Sequence, residues 1–242
     1  MSSQERKTVL AIGAHPSDLV ANIGGTLGKH ILRGDRVISL TLTYGVEVHT
    51  ERLVGQSEAE IKESVRRQTI AAANLLGLEE HIFLDFGDTP LVATRQNLLE
   101  LADVIQDLRP DLVICAHYPF REDQWGGDHG EAARMVERAP TWRHHAGKKP
   151  FQIPALWFGC VEYMFFSHPT PHIPDTYVDT TATIEQKIQA CIMTWDMHGP
   201  EAEKTAALIR NADRHFGACA GVPYAEGFET RRRPRAVEYL GL

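Results

Sequence analysis

The chain has 242 residues and a formal net charge of −7, and 43% of its residues are hydrophobic. This composition suits one large globular domain with a sizeable core, and the negative charge argues against a nucleic-acid partner. No apolar run is long enough to span a membrane, and no signal peptide precedes Thr8. The four cysteines contain no CxxC pair, which disfavours a zinc knuckle. We therefore expect a cytoplasmic protein without membrane or nucleic-acid partners.

Predicted strands and helices alternate along the chain. In order, they are strand 7–14, helix 25–32, strand 36–43, an irregular loop 44–56, helix 57–76, strand 82–85, helix 94–108, strand 111–116, helix 128–138, strands 155–162 and 175–179, and helices 183–198 and 200–214. Such alternation predicts an α/β fold with a Rossmann-like, doubly wound and mainly parallel sheet. We expect a single domain over residues 1–242, in which 181–242 is a helical C-terminal segment packed on the rest.

The basic run 231–235 is expected to be a solvated tail, with an anion-binding tail as the weaker alternative.

A histidine and an aspartate follow the first predicted strand. The apolar run ends at the sequence HPSD, where Pro16 takes the backbone out of the strand. His15 and Asp18 then lie at the carboxyl end of a central strand, where open α/β sheets bind their ligands. This pair suits half of a metal site, with capping of the following helix as the alternative.

A second pair, Asp128 and His129, follows the predicted strand that ends near His117. In a doubly wound sheet, both strand ends flank the point where the strand order reverses. Two imidazoles and one carboxylate suit a catalytic zinc ion that keeps open coordination positions. Asp128 is interpreted as a partner that fixes an imidazole, with a helix N-cap as the alternative. The sequence lacks GxGxxG, GxxxxGK[ST] and GxSxG patterns, which disfavours a dinucleotide site, a P-loop and a serine nucleophile elbow.

The sequence AHPSD followed by GGT, with a later DH that opens a helix, resembles the PIG-L/LmbE family of zinc-dependent enzymes. The resemblance extends to the segments PDTYVDTTATIEQKIQA and YAEGF near the end of the chain. It implies one zinc ion per chain, bound by His15, Asp18 and His129. It also implies hydrolysis of an N-acetyl group, because most members are N-acetylglucosaminyl deacetylases that act on sugar conjugates.

Two departures separate this chain from those deacetylases. The deacetylases read AHPDD and use the first Asp as their general base, whereas this chain has Ser17 there. They also read HPDH before the helix, and its first His assists the tetrahedral intermediate, whereas this chain has Gly126. Serine cannot act as a carboxylate base at neutral pH, and glycine has no side chain. The resemblance therefore implies an intact metal site without the machinery of amide hydrolysis.

A branch of the same family contains hydratases of gallate and protocatechuate ring cleavage, which act on 4-oxalomesaconate, whose enol is 4-carboxy-2-hydroxymuconate. These hydratases also lack the base Asp. The sequences FGDTPL at 86–91, LRPD at 108–111 and TYG at 43–45 resemble this branch. Its loop glutamate usually follows glycine directly, whereas Val46 precedes Glu47 in this chain. This resemblance implies a hydro-lyase with a small carboxylate substrate, and we expect a homo-oligomer.

Addition of water to a conjugated acid needs a Lewis acid, a base for the water and an acid for the carbon. Glu47 is the candidate base, because it lies just past the second strand, with a solvated loop glutamate as the alternative. His168 is the candidate acid, His172 is its rival, and either residue alternatively lies on the surface. Asp128 completes the predicted catalytic set.

A substrate with several carboxylates also needs a cation. Arg66 on the long helix is the candidate anchor, because guanidinium groups bind carboxylates in a bidentate manner, with a solvated arginine as the alternative. Tyr44 and His117 are further candidate substrate-binding residues. Two other functions stay open: a deacetylase with another base, such as Glu47 or Asp128, and a metal-binding protein without catalysis.

Overall fold

The computed structural model describes residues 5–49, 54–119, 127–142, 152–160 and 174–232. In these ranges, seven strands form one sheet with the order β3-β2-β1-β4-β5-β7-β6. The strands are β1 (Thr8–Gly13), β2 (Arg36–Thr41), β3 (Glu80–Phe83), β4 (Leu112–Cys115), β5 (Ala155–Gly159), β6 (Thr176–Asp179) and β7 (Ala225–Arg232). The helices are α1 (Pro16–Leu32), α2 (Val46–His49), α3 (Glu58–Leu76), α4 (Arg95–Leu108), α5 (Asp128–Trp142), α6 (Ile184–Trp195) and α7 (Gly199–Ala220).

The strands from β3 to β5 in this order are all parallel, and β7 runs antiparallel to both of its neighbours. From β1 the chain proceeds to β2 and β3 on one side and then to β4 and β5 on the other, so the strand order reverses between β1 and β4. Ile12 near the end of β1 lies opposite Cys115 at the end of β4. The predicted α/β fold with a mainly parallel sheet is therefore confirmed, and both strand ends meet at the edge where such sheets bind ligands.

The central strand β1 is buried on both faces. Val9 and Ala11 pack in an apolar cluster with residues of α1, α3, α6 and α7. Leu10 and Ile12 pack on the opposite face, in a cluster that includes residues of α4 and α5. Because both faces are covered by helices, the strand is a continuous apolar run instead of an alternating one.

Helix α3 has the ends that its sequence predicted. The Ser57 hydroxyl accepts from the Glu60 N–H at 3.4 Å, and the Glu60 carboxylate accepts from the Ser57 N–H at 2.7 Å. The helix ends at Gly77, whose φ of +86° lies in the left-handed region. Within the described residues, no helix is both long enough and apolar enough to cross a membrane.

Helix α1 begins earlier than the sequence analysis predicted. The prediction placed its start at Gly25, whereas the helix begins at Pro16 and contains Gly25 in its interior. A Cβ at position 25 would lie 2.7 Å from the Thr180 side chain, so close packing requires this glycine. The segment 44–56, which was predicted to be irregular, contains the short helix α2.

The C-terminal segment 181–242 contains a strand, which corrects the prediction that it is helical. Strand β7 pairs with β6 over residues 225–228 and with β5 over residues 228–232, so each part of the strand has one neighbour in the sheet. Arg231 was predicted to lie in a solvated tail, but it lies in β7, binds Glu137 and covers the ring of Phe158. The polar residues of β7 hid this strand from a search for apolar runs. Residues 233–242 lie outside the described ranges.

Replacement of Ile114 in β4 by alanine should lower the free energy of unfolding by about 2–5 kcal/mol, because Ile114 is fully buried at the centre of the sheet. Chemical denaturation measures this change. Val54→Ala is the matched control, because Val54 is 83% exposed and its loss should change the stability by less than about 0.5 kcal/mol. Equal effects of the two substitutions would contradict the position of β4 in the core.

Candidate metal centre

The turn from β1 into α1 places His15 and Asp18 at the sheet edge. His15 is the N-cap residue of α1 and has an extended backbone, with φ −120° and ψ 160°, and Pro16 is the first helical residue. The backbone N–H of His15 donates to Asp18 Oδ2 at 2.7 Å, which holds the carboxylate against the first turn of the helix. Both side chains are buried. A carboxylate is favoured at this end of a helix, because the helix N-terminus is electropositive.

Residues that follow β4 complete the centre. His129 lies in the first turn of α5, and its Nε2 is 3.5 Å from Asp18 Oδ1. The centroids of the His15 and His129 rings are 5.2 Å apart. His117 follows β4, and its Nε2 lies 2.8 Å from Asp18 Oδ2. The His117 ring stacks on His129 with centroids 4.0 Å apart, so it packs against one candidate ligand and contacts another.

Asp128 contacts His15 from the other side. Its Oδ2 lies 3.2 Å from His15 Nε2 and accepts the N–H of Thr89 at 2.9 Å, while its Oδ1 accepts the N–H of Leu91 at 2.7 Å. Burial favours the neutral acid, but His15 and the two N–H donors lower the pKa of Asp128. This carboxylate orients the His15 ring so that Nδ1 faces Asp18 at 3.4 Å. The contact agrees with the interpretation of Asp128 as a partner that fixes an imidazole.

Opposite charges are buried side by side in this centre. Burial disfavours a charged imidazole, but the Asp18 and Asp128 carboxylates raise the pKa of His15 to about 10. Burial also opposes ionisation of Asp18, but the imidazoles around it hold the pKa of this carboxyl well below its usual range. The centre therefore stabilises positive charge next to Asp18.

The arrangement fits a divalent metal ion. One donor atom each from His15, Asp18 and His129 can be chosen so that all three lie within 4.8 Å of one another. Imidazole nitrogens and a carboxylate oxygen are donors that divalent transition metals bind, and three protein ligands leave coordination positions open for a substrate. The structure thus brings together the three candidate ligands that the sequence analysis named.

The cationic side chain of Arg66 contacts Tyr44, the residue before the glycine that packs on His15. Tyr44 is buried, and its ring stacks on Phe83 with centroids 5.0 Å apart. The exposed Arg66 donates to the Tyr44 hydroxyl, and its guanidinium lies 4.8 Å from the centroid of the Phe83 ring. The next residue, Gly45, packs on His15, because a Cβ at position 45 would lie 3.4 Å from His15 Cβ. Tyr44 therefore connects Arg66 to the wall of the centre.

Two further carboxylates lie close to these residues. Glu47 is exposed in α2, and its backbone N–H donates to Asp88 Oδ2 at 3.1 Å. Asp88 is partly buried after β3, and burial raises its pKa. The charge of His15 opposes this rise, while the carboxylates of Asp128 and Glu47 add to it. Asp88 therefore holds the backbone of the candidate base, and it follows β3 at the same sheet edge as the metal centre.

Residues 10–139 match the family described as PIG-L: GlcNAc-PI de-N-acetylase. The chain belongs to the PIG-L family. The matched range contains Arg66 and all three candidate ligands, His15, Asp18 and His129.

Relatives of two activities resemble this PIG-L protein to a similar degree. It is 28% identical to the 4-oxalmesaconate hydratase of Pseudomonas putida, over 97% of this chain and 93% of the relative. It is 29% identical to the diacetylchitobiose deacetylase of Thermococcus kodakarensis, over 91% of this chain and 82% of the relative.

Solved structures divide in the same way. The 4-carboxy-2-hydroxymuconate hydratase GalB of Pseudomonas putida has a TM-score of 0.75 at 25% identity, over 97% of this chain and 100% of that chain. The N,N′-diacetylchitobiose deacetylase of Pyrococcus horikoshii has a TM-score of 0.79 at 24% identity, over 94% of this chain and 84% of that chain. The fold is therefore common to both activities, and the relatives are enzymes.

Some residues of the predicted site lie outside the part of the chain that the structure describes. His168, His172 and Gly126 lie outside the described ranges, so their roles stay predictions. Asp88 is a residue that the sequence analysis did not select, although it lies in the FGDTPL segment that carried the resemblance. It follows β3 at the same sheet edge as the metal centre, and the rule that ligands bind at strand ends was a signal for it.

Replacement of Asp128 by alanine should weaken retention of a divalent metal about 10–100-fold, because the ring of His15 loses the carboxylate that orients it. Chelator competition followed by metal analysis measures the affinity. His198→Ala is the matched control, because His198 is exposed and pairs with Asp196 at the surface. Loss of metal from the control, or full affinity in Asp128→Ala, would contradict the assignment.

Proposed function

We propose that this PIG-L protein is a zinc-dependent hydro-lyase that adds water to an unsaturated 2-oxo or 2-hydroxy polycarboxylate, such as 4-oxalomesaconate, in aromatic ring-cleavage catabolism. The proposal depends mainly on Ser17, which lies in the first turn of α1 between the candidate ligands His15 and Asp18. The candidate ligands are complete, but position 17 lacks the carboxylate that the deacetylases use as their general base. This combination suits a reaction other than amide hydrolysis. The similarity to the 4-oxalmesaconate hydratase over nearly the whole chain supports the proposal.

The proposed ligands are His15, Asp18 and His129, with Asp128 orienting His15. A zinc ion held by these residues would supply a Lewis acid for the oxo or enol oxygen of the substrate. Both proposed imidazole ligands are held by contacts within the protein, since Asp128 contacts His15 and His117 stacks on His129. This preorganisation avoids a reorganisation cost when charge develops on the substrate.

Arg66 would bind a carboxylate of the substrate that is remote from the reacting carbons. Its guanidinium is exposed but held at Tyr44 and Phe83, so little side-chain freedom remains to be lost on binding. A charge-assisted contact of this kind fixes the face of the double bond that meets the water. A neutral sugar would accept hydrogen bonds from this cation but would offer it no opposite charge.

Glu47 would take a proton from the attacking water. The oxygen of the water then bonds to the conjugated carbon, and the electron pair of the double bond moves toward the oxo group. His168 would return a proton to the neighbouring carbon, which completes a reversible addition of water. Asp128 is a poorer candidate base than Glu47, because His15, Thr89 and Leu91 already contact its two oxygens.

A zinc-dependent deacetylase with a substituted base is the second candidate. It is favoured by the 29% identity to the diacetylchitobiose deacetylase. Because the oxygens of Asp128 are engaged, Glu47 would have to act as the base in this reaction as well. The two candidates therefore differ in substrate chemistry more than in the residues that they use.

An assay of the zinc-loaded protein against both substrate classes separates the candidates. Hydration of 4-oxalomesaconate removes a conjugated double bond, so the ultraviolet absorbance should fall with time. Release of acetate from an N-acetylglucosamine conjugate should stay at the background rate. Rapid acetate release without hydration would overturn the proposal and favour the deacetylase.

Glu47→Gln should lower kcat for hydration about 10²–10⁴-fold, because it removes a base while it preserves the size of the side chain. Zinc content and circular dichroism should match those of the parent protein. The matched control is Glu203→Gln on the exposed part of α7, which should keep full activity. A zinc-loaded Glu47→Gln protein with unchanged kcat would exclude Glu47 as the base.

Arg66→Ala should raise KM about 10–100-fold with a smaller change in kcat, because the lost contact is common to the substrate and the transition state. Steady-state kinetics separate the two constants. Arg67→Ala is the matched control, because Arg67 is the exposed neighbour on α3 and bonds to Ser64. An equal rise of KM in both variants would show that the charge of the helix causes the effect, and it would contradict a specific contact of Arg66 with the substrate.

A further inference from the structure

Three segments that resemble the family motifs contribute no candidate ligand to the metal centre. They are GGT at 24–26 in α1, PDTYVDTTATIEQKIQA before and within α6, and YAEGF at the start of β7. The fold brings side chains of the last two segments against the glycines of the first. We call the side chains of Glu226, Lys187, Asp213 and Thr183 the Glu226 cluster.

The carboxylate of Glu226 bonds to the backbone in the middle of α1. Its Oε1 accepts the N–H of Gly25 at 2.9 Å, and its Oε2 accepts the N–H of Thr26 at 2.8 Å. Residues in a helix interior normally donate to the carbonyl four positions earlier, so a side-chain acceptor for two adjacent N–H groups is unusual there. Thr183 bonds to the same region from α6, because its hydroxyl donates to the carbonyl of Gly25 at 2.8 Å.

Lys187 and Asp213 complete the cluster. Lys187 Nζ lies 2.8 Å from Glu226 Oε1 and donates to Asp213 Oδ1 and Oδ2 at 2.8 and 3.0 Å. The side chains of Lys187 and Glu226 are fully buried, and that of Asp213 is 1% exposed. Desolvation of three ionisable groups is costly, and buried ion pairs often add little net stability. Stability alone is therefore a weak explanation for this cluster.

The glycines of α1 allow these side chains to approach. A Cβ at Gly25 would lie 3.0 Å from Glu226 Oε1, and one at Gly24 would lie 3.2 Å from Lys187 Cγ. One turn further, a Cβ at Gly28 would lie 2.9 Å from Thr183 Cγ2. The glycines thus form a face of α1 against which the C-terminal segment packs.

We propose that the Glu226 cluster is a positioning device for the metal centre, in which Glu226 fixes the helix that carries Asp18. Asp18 lies about 10 Å along α1 from Gly25 at 1.5 Å per residue, so a shift of the helix at its middle also moves its first turn. The same helix contacts the second half of the centre, because Asn22 donates to the carbonyl of Ala116, next to His117. This inference rests on the proposed metal site.

Glu226→Gln tests the proposal, because the amide keeps the size of the side chain and loses the charge that faces Lys187 and α1. The affinity of the purified full-length variant for Zn²⁺, measured by competition with a chelator, should fall about tenfold or more. After loading with Co²⁺ alone, its visible absorption spectrum should differ from that of the parent protein, because the ligands have moved.

Two further variants keep the test decisive. Thr183→Val tests the cluster even if Glu226→Gln fails to fold. It removes the hydroxyl that donates to the carbonyl of Gly25 and should weaken the affinity for Zn²⁺ about two- to tenfold. Ile209→Ala is the matched stability control, because Ile209 is fully buried in α7, which packs on α6, β6 and β7. It should lower the melting temperature and leave Zn²⁺ affinity and the Co²⁺ spectrum unchanged.

A folded Glu226→Gln protein with parental Zn²⁺ affinity and an unchanged Co²⁺ spectrum would overturn the proposal. Hydrogen exchange of the metal-free proteins separates this failure from failure of the proposed function. Exchange of the amides at 18–24 should accelerate in Glu226→Gln even if the parent protein takes up no metal. Acceleration limited to Gly25 and Thr26 would show a local bond without any influence on the first turn, and would also overturn the proposal.

Discussion

The buried carboxylate of Asp18 is the group on which the geometry of the site depends. It accepts the N–H of His15, and imidazoles from the N-cap of α1, from the residues after β4 and from the first turn of α5 surround it. An ionised carboxylate is costly to bury unless positive charge and donors compensate it. These compensating groups come from sequence positions far apart, so this one carboxylate links two halves of the parallel sheet at their common edge.

Asp128 has the same effect on the opposite side of the centre. Its carboxylate joins the ring of His15 to the N–H groups of Thr89 and Leu91, which belong to the connection between β3 and α4. The neighbouring Asp88 holds the first turn of α2 through the N–H of Glu47. The loops at this sheet edge are therefore attached to one another by carboxylates, which keeps a site built on loops in a defined geometry.

The family relation and the individual residues carry different information. PIG-L relatives of this chain include both a hydratase and a deacetylase at similar identity, so the fold does not distinguish the two activities. The proposed function of this chain is therefore argued from individual groups around its candidate metal centre. Ser17 lies between His15 and Asp18, the carboxylate of Asp128 contacts the imidazole of His15, and Arg66 donates to Tyr44. The proposal of an acidic substrate is drawn from these features.

The sequence by itself determined the parallel strands, the capped helix α3 and the three candidate ligands. These features are local, because a strand buried on both faces is a continuous apolar run and its end marks the ligand-binding edge. The tertiary structure decided where α1 begins, that β7 is a strand, and that Asp88 accepts the backbone N–H of Glu47. Glu226 and Gly25 are 201 residues apart, and only the packed fold makes them neighbours. A polar strand such as β7 has no apolar pattern of its own, because its place depends on the backbone partners that β5 and β6 supply.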